Sequence, residues 1–558
     1  MQPTLPASTD RVSRLSLPGL ALGLLFVAAS LTPSLIPRGP VMQGVLGGVV
    51  LALGYLGGRI VEGLWSLAEM PVLRGRARRI FALALLAALV ALLAAALIYS
   101  HLWQEDLRAR MGMEPVSEAR IVTILALTLA VFAVLYGIGR AILAFYRLVR
   151  RSLARVMPAR RADVLGGLLV LVVLIVVTRD GILDRVLSGL DTSFEAAQNL
   201  FDTAPPAPTD PRKAGGPGSL IDWQRMGQPG RDFVMTGPDA ETIAAFTGRP
   251  ALQPIRVYVG RANAETPEAR ADLALAELIR LDAFRRKVLV VVSPTGTGWM
   301  DPGAFDPLDI MHGGDVATVS VQYSYLNSPL ALIFETETGL DQAGATLARI
   351  HDYWKTLPRD ARPRLYVHGL SLGAWSSMHA TNLFRLIDDP IDGAFWVGPP
   401  FPSDFWNRVQ RSRNPGSPWV RPQIGTGNFI RYAGRGEDGS SGASDWGDMR
   451  IMFLQYPSDP IVFYDPLSVW KRPVWMQEAP GDGVSPYLRF MPVVTQFQLA
   501  LDMALSTSVP GGYGHAYHAP DYIGPWVQVT RPEGWTADDT TRLIALCDSG
   551  FGKGCARP

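Results

Sequence analysis

Cysteine, histidine and lysine are scarce in this 558-residue chain. The two cysteines, Cys547 and Cys555, are too few for a disulfide-rich scaffold. The sequence has no Gly-rich fingerprint of the cofactor-binding type, and we expect neither a metal nor a cofactor. Both lie in one Gly-containing segment near the C-terminus. In an oxidising compartment they could pair and close a short loop; the alternative is two unrelated free thiols.

Lysine is absent from residues 1–180, which contain 19 arginines and nine acidic residues and therefore have a net charge of +10. Residues 181–558 contain 33 basic and 41 acidic residues, a balance of −8. A basic half with long apolar runs is typical of a membrane region with cytoplasmic arginine anchors. The acidic second half argues against a nucleic-acid partner.

Five apolar runs approach or reach the roughly 20 residues that a membrane-spanning helix needs. They cover about residues 17–36, 41–58, 80–100, 121–138 and 162–178. We therefore predict an all-α membrane domain with about five transmembrane helices over residues 1–180. Buried core helices are one alternative, and a cleaved signal peptide is another for the first run.

Arginine placement predicts the orientation of these helices. With the N-terminus in the cytoplasm, 14 arginines fall on the inner side, and four fall on the outer side: Arg38, Arg108, Arg110 and Arg120. If all five runs span the cell membrane, everything after Arg179 is extracytoplasmic. If the short fifth run does not span, the rest of the chain is cytoplasmic.

A connector over residues 181–249 precedes the second domain. Residues 181–201 have the spacing of an amphipathic helix, which could lie on the membrane surface or on the following domain. Residues 204–218 are rich in Pro and Gly and indicate a linker.

Residues 250–558 alternate short apolar runs with helical stretches. Strands are predicted over residues 255–259, 287–292, 318–323, 365–368, 393–397 and 451–455, and helices over 265–281 and 339–357. This alternation predicts an α/β fold with a mostly parallel sheet and helices on both faces. Such sheets place their sites at the carboxyl ends of strands.

Gly369-Leu370-Ser371-Leu372-Gly373 lies between a predicted strand and a predicted helix. Small residues two before and two after Ser371 allow a sharp turn that exposes its hydroxyl. We therefore predict that Ser371 is a catalytic nucleophile; the alternative is a Gly-rich turn with an incidental serine.

Two later strand ends supply an acid and a base. Asp459 follows one strand, and a Gly-rich loop contains His515, so the chain order is Ser, Asp, His, as in alpha/beta-hydrolases. His515 would take the proton of Ser371, and Asp459 would orient the imidazole. Asp459 could instead only cap a turn. Asp465 is the alternative acid, and His518 the alternative base.

An oxyanion hole needs two N–H donors near the developing charge. Leu372, the residue after the nucleophile, should supply one. The loop over residues 293–299 should supply the other, and Thr295, Gly296 and Thr297 are the candidates. A phosphate-binding loop is the competing interpretation, but no lysine follows these glycines.

Residues 402–449 form a long insertion between strands. It contains the aromatic residues Phe405, Trp406, Trp419 and Phe429. An aromatic cap over an apolar substrate is one interpretation, and a disordered surface loop is the other.

Four motifs together resemble a bacterial family of membrane-anchored alpha/beta-hydrolases. They occupy residues 31–38 (LTPSLIPR), 294–302 (PTGTGWMDP), 368–373 (HGLSLG) and 396–401 (WVGPPF). In that family the closing loop is usually of a Gly-His-Gly-His type; here Tyr513 stands at the first histidine and His515 at the second. The resemblance implies a serine-hydrolase fold and supports His515 as the base.

We therefore expect a multi-pass membrane protein with an extracytoplasmic serine esterase or lipase. The expected partners are the membrane and a lipid or acylated small-molecule substrate. If a hydroxyl of an envelope sugar or lipid resolves the acyl-enzyme, the protein is an acyltransferase. From another class, a catalytically silent fold would act as an envelope scaffold or a transporter accessory.

Overall fold

A computed structural model describes residues 15–115, 120–177, 205–325, 336–381 and 388–555. The chain folds into two compact units. The first comprises residues 1–183, 466–473 and 484–502, and the second comprises residues 184–465, 474–483 and 503–558. The amphipathic helix predicted over residues 181–201 lies outside the described residues.

The described part of the N-terminal region contains five helices. They are α1 (Leu17–Ser30), α2 (Pro40–Leu67), α3 (Gly75–Arg110), α4 (Arg120–Leu153) and α5 (Ala159–Ile175). By length and apolarity, α2, α3 and α4 could cross a membrane. The first apolar run was predicted to be helical to residue 36, but α1 ends at Ser30, because Pro33 and Pro37 follow and proline cannot continue a helix.

Small residues bring these helices close together. A Cβ added to Gly54 of α2 would lie 2.6 Å from the Cα of Gly23 in α1. Thr128 of α4 donates its hydroxyl to the carbonyl oxygen of Gly44 in α2 (3.2 Å). Close backbone approach and interhelical hydrogen bonds of this kind are typical of helix packing in membranes.

The second unit is built on a seven-stranded, all-parallel sheet, which confirms the predicted fold class. Its strands are β1 (Ile255–Val259), β2 (Val288–Ser293), β3 (Val316–Val321), β4 (Arg364–Leu370), β5 (Gly393–Val397), β6 (Ile430–Ala433) and β7 (Arg450–Leu454). Their order is β1-β3-β2-β4-β5-β7-β6. Nearly all strand residues are buried, as expected for a parallel sheet covered by helices.

Eleven further helices are described. They are α6 (Gln228–Thr236), α7 (Ala240–Thr247), α8 (Pro267–Arg280), α9 (Pro302–Met311), α10 (Thr336–Thr356), α11 (Leu372–Ala380), α12 (Asp404–Arg411), α13 (Pro460–Phe463), α14 (Val494–Ala504), α15 (Ala519–Thr530) and α16 (Ala537–Leu546). Most of them pack in the sheet unit, whereas residues 494–502 of α14 belong to the helical unit.

Strand register aligns the ends of β2, β4 and β5 at one edge of the sheet. Gly369 of β4 pairs with Ser293 of β2, and Leu370 pairs with Val397 of β5. The residues that follow these three strands therefore lie together at the carboxyl ends of the strands, where parallel sheets place their sites.

The predicted insertion over residues 402–449 contains β6, which forms the edge of the sheet and was not predicted. Two of its aromatic residues pack onto the fold rather than forming a separate cap. Phe405 contacts Trp396 of β5 (5.5 Å between ring centroids), and the indole of Trp406 donates to Gln455 (3.0 Å). Phe429 is exposed.

Candidate active site

Ser371 lies in a strained turn between β4 and α11. Its φ of 58° and ψ of −125° fall in a region that residues other than glycine rarely adopt. Its amide donates to the carbonyl oxygen of Val397, at the end of β5 (2.9 Å). The strand, sharp turn and helix are therefore the context that a nucleophile elbow requires.

The two glycines of the motif allow this turn. A Cβ on Gly369 would lie 2.2 Å from the carbonyl oxygen of Gly373, and a Cβ on Gly373 would lie 2.1 Å from that of Ser293. Both distances are far below van der Waals contact, and the atoms that would have to move are backbone. Only glycine lets α11 start so close to β2.

We expect Gly373→Ala to lower the free energy of unfolding by about 2–3 kcal/mol, because overpacking displaces backbone at the end of β2. The matched control is Gly344→Ala in the interior of α10, where an added Cβ meets nothing within 4 Å. That change should raise stability by about 1 kcal/mol through helix propensity. Denaturant unfolding of both variants checks the prediction, and equal stabilities would contradict it.

His515 and Asp459 are brought together. The Nδ1 atom of His515 lies 2.7 Å from Oδ2 of Asp459, whose side chain is fully buried. Asp459 also caps α13, because Oδ1 accepts hydrogen bonds from the amides of Ile461 (2.8 Å) and Val462 (3.4 Å). Asp459 therefore uses one carboxylate oxygen to cap α13 and the other to contact His515.

Tyr517 is a further member of this cluster that sequence reasoning missed. Its hydroxyl donates to the same Oδ2 atom of Asp459 (2.8 Å). Burial, reinforced by the charge of Asp459, raises the pKa of Tyr517 well above its ordinary value, so the hydroxyl stays protonated and remains a donor. A tyrosine two residues after a candidate catalytic histidine was the available signal.

The backbone around His515 fixes where its ring points. Its amide donates to the carbonyl oxygen of Ser506 (2.8 Å), and the amide of Gly514 donates to the hydroxyl of Ser458 (2.9 Å). A Cβ on Gly398, directly after β5, would lie 2.8 Å from Cε1 of His515. The imidazole therefore lies next to the end of β5, whose last carbonyl oxygen accepts the hydrogen bond from the amide of Ser371.

The second ring nitrogen of His515, Nε2, is available for proton transfer. Nε2 is buried and has no hydrogen-bond partner within the described parts of the chain, so the Ser371 hydroxyl is not bonded to it here. Hydrogen bonds between nucleophile and base are often long in unliganded enzymes and tighten when substrate binds.

His518, the alternative base, belongs to a second and separate cluster. Its Nε2 lies 3.2 Å from Oδ2 of Asp521, and Asp521 also accepts the hydroxyl of Tyr456. The Tyr456 ring stacks on Tyr517 (4.4 Å between centroids). Burial lowers the pKa of His518. Asp465, the alternative acid, is half-buried beyond α13, and Asp459 is the acid that contacts His515.

Backbone geometry narrows the oxyanion candidates. Leu372 is the first residue of α11, where amides have no acceptor within the helix. In the loop after β2, the Thr295 amide donates to the carbonyl oxygen of Trp299 (3.3 Å). That engagement leaves Gly296 and Thr297 as the better candidates for the second donor.

The C-terminal segment supports this loop. Cys547 and Cys555 form a disulfide, which settles the pairing that the sequence left open. Phe551, inside the closed segment, packs on Trp299 (5.4 Å between ring centroids), and the Cys555 amide donates to Asp306 of α9 (3.2 Å).

We expect the double variant Cys547→Ser, Cys555→Ser to have a free energy of unfolding that is about 2–3 kcal/mol lower, because the cross-link over a loop of this length is lost. Any ester hydrolysis should fall several-fold, because Trp299 loses a fixed neighbour. A reducing agent should reproduce both effects in the wild type and leave the variant unchanged. A variant with wild-type stability and rate would contradict the proposed support of the loop.

His368, at the end of β4, has no place in this cluster. Its Nδ1 atom lies 2.7 Å from the carbonyl oxygen of Phe395, and its ring packs against Trp526 (5.1 Å between centroids). Burial lowers its pKa to about 3, so the ring is neutral. It is a core packing residue.

Comparison with known proteins agrees with the architecture and with the sequence motifs. A model described as the alpha/beta-hydrolase family matches residues 255–543, and one described as the N-terminus of the alpha/beta-hydrolase family matches residues 31–238. No curated protein and no solved structure matches the chain. The first match covers more than half of the chain and includes Ser371, Asp459 and His515. The chain therefore belongs to the alpha/beta-hydrolase family.

Proposed function

We propose that the protein is a membrane-anchored serine hydrolase that cleaves an ester through an acyl-enzyme on Ser371. The central observation is the contact between Asp459 and His515. Nε2 of His515 has no hydrogen-bond partner among the described residues, and the ring lies next to Gly398, which follows the residue whose carbonyl oxygen accepts the amide of the strained Ser371. Membership of the family supports a hydrolase; the triad and the ester substrate are our proposal.

The roles follow from the atoms. His515 Nε2 takes the proton of Ser371 Oγ as that oxygen forms a bond to the substrate carbonyl carbon. The carbonyl oxygen becomes an oxyanion, which accepts from the amide of Leu372 and from that of Gly296 or Thr297. Collapse of the intermediate breaks the ester bond, and His515 gives its proton to the leaving alkoxide. Water, activated by the same imidazole, then releases the acid.

Asp459 positions the imidazole and balances its charge. Its Oδ2 atom holds Nδ1–H, so the lone pair of the neutral ring is at Nε2, where Ser371 needs a base. The hydroxyl of Tyr517 and the amides that begin α13 hold the carboxylate in place. A water-excluded, fully buried carboxylate stabilises the imidazolium better than an exposed one would.

An apolar, membrane-derived ester is the proposed substrate class. Three apolar helices of spanning length within the described residues support membrane anchoring, and a chain that needs only a tether would require one. The arginine distribution and the disulfide support an extracytoplasmic catalytic domain, since disulfides persist in oxidising compartments. Alkylation in cells without prior reduction tests this location: modified Cys547 or Cys555 would contradict it.

Pre-steady-state hydrolysis of p-nitrophenyl esters tests the proposed function. We expect a burst of about one equivalent of p-nitrophenol per chain, and an acyl mass on the Ser371 peptide. Rates should rise from short to medium or long acyl chains. A preference for the shortest chain would count against a lipid substrate, and no turnover by folded protein would favour a silent scaffold. A burst with slow turnover that lipid or sugar hydroxyls accelerate would identify an acyltransferase.

A further inference from the structure

Two arginines are buried in the helical unit. Both lie on the predicted outer side of the membrane, where arginines are normally few. Arg38 ends the loop between α1 and α2 and is 0% exposed, and Arg120 begins α4 and is 4% exposed. Both belong to the four arginines on the predicted outer side, against 14 on the inner side. Long basic side chains normally remain at the membrane surface with their charge in water. These two do not.

The other two outer arginines have ordinary surface roles. Arg110 forms an ion pair with Asp106 (2.9 Å), and Arg108 donates to the carbonyl oxygen of Glu114 (2.7 Å). Arg38 and Arg120 have no carboxylate in ion-pair distance within the described part of the chain. The buried pair is therefore a distinct feature rather than part of a general basic surface.

Each of the two guanidinium groups makes one hydrogen bond and keeps further N–H donors without a partner among the described residues. Arg38 donates Nη2 to the carbonyl oxygen of Thr32 (2.6 Å), and Arg120 donates Nη1 to that of Arg38 (3.3 Å). Nε and Nη1 of Arg38, and Nε and Nη2 of Arg120, are buried without a partner among the described residues. Nε and Nη2 form the edge with which arginine grips two oxygens of one anion.

Asp502, whose charge acts on Arg38, compensates the positive charge of the two arginines only in part. Its two oxygens accept hydrogen bonds from the hydroxyl of Ser34 (2.8 Å) and the amide of Leu35 (2.9 Å). The carboxylate therefore binds the α1–α2 loop and forms no ion pair with either arginine. Burial raises the pKa of Asp502 to about 6, although the charge of Arg38 opposes that shift. Among the described residues, two guanidinium charges are accompanied by one carboxylate, and the excess positive charge is costly in a buried position.

We propose that Arg38 and Arg120 form a binding site for a phosphate-type oxyanion at the end of the helical unit formed by the α1–α2 loop and the start of α4. Two anionic oxygens would accept from the Nε and Nη2 edge of Arg120 and from the free donors of Arg38. The source that this position favours is the phosphodiester of a phospholipid headgroup, and free phosphate is the other. The site is independent of the function proposed for Ser371.

Full-length protein purified in detergent, in phosphate-free buffer, tests the site in two arms. In the first, sodium phosphate is titrated against sodium chloride at equal ionic strength while thermal unfolding is followed. In the second, phosphatidylglycerol is added to the micelles and native mass spectrometry counts the lipids retained. We expect one retained lipid per chain, or a rise in melting temperature of about 3–5 °C at saturating phosphate.

Arg120→Gln should weaken the response about ten-fold or more, since it removes the two-pronged edge and its charge. Arg110→Gln, which removes an exposed arginine of the same outer group, should respond like the wild type. If Arg120→Gln does not fold, Arg120→Lys keeps the charge without the edge and should also bind more weakly. Retained lipid alone identifies a headgroup site, and a phosphate response alone a free-anion site. No wild-type response to either probe, or equal responses in both arms from wild type and Arg120 variants, would overturn the proposal.

Discussion

Replacing Ser371 by alanine is expected to lower kcat for ester hydrolysis by about 10⁴-fold or more, with the protein still folded. The hydroxyl oxygen is the atom that forms the acyl-enzyme, so its removal leaves only the oxyanion donors and substrate binding. Alanine is smaller than serine and leaves the φ of the elbow unchanged, so melting temperature should move little. Steady-state kinetics with a p-nitrophenyl ester measure the effect.

Ser377 supplies the matched control in the same helix. It is buried in α11, and its hydroxyl accepts a hydrogen bond from the indole of Trp396 (2.9 Å). Ser377→Ala should cost about 1 kcal/mol of stability and leave kcat within a few-fold of the wild type. Equal activity in the Ser371 and Ser377 variants would assign the nucleophile elsewhere.

Asp459→Asn is expected to lower kcat by about 10⁴-fold at neutral pH. The amide group would donate toward Nδ1 of His515 and place the ring proton on Nε2, where Ser371 needs a lone pair. Affinity for substrate should change much less, because Asp459 is buried away from the reacting ester. Measurement of kcat and KM separately distinguishes this effect from a loss of binding.

Asp521 is the control for Asp459, because it has nearly the same surroundings. It also contacts a histidine, His518, and also accepts a tyrosine hydroxyl, in addition to the amide of Gly436 (2.7 Å). Asp521→Asn should therefore cost about 1–3 kcal/mol of stability while leaving kcat within a few-fold of the wild type. A large loss of kcat in Asp521→Asn and a small one in Asp459→Asn would reverse the assignment of the two histidines.

The fold of the second unit could be predicted because its signal is local. Buried parallel strands appear as short apolar runs, and the predicted strands 255–259 and 393–397 match β1 and β5 to the residue. β6 was missed because four residues at a sheet edge, inside a Gly-rich and Ser-rich stretch, give no comparable run. The end of α1 was missed because apolar residues continue through a loop that its prolines keep out of a helix.

Long-range placement could not be predicted from patterns along the chain. The motif over residues 31–38 is visible in the sequence. Nothing in the sequence shows that Asp502, more than 460 residues later, accepts a hydrogen bond from the backbone of this motif. Nor could the sequence show that Tyr517 and His515 share Asp459 while His518 has its own partner. Such relations depend on how loops close in space, whereas strand and elbow signals depend on neighbours in sequence.

The central claim, that Ser371 is an activated nucleophile, is tested most directly by a fluorophosphonate probe followed by mass spectrometry. We predict that the folded protein takes up one equivalent, that the adduct lies on the Ser371 peptide, and that heat-denatured protein is not labelled. Folded protein that stays unlabelled, or an adduct on another serine, would contradict the account.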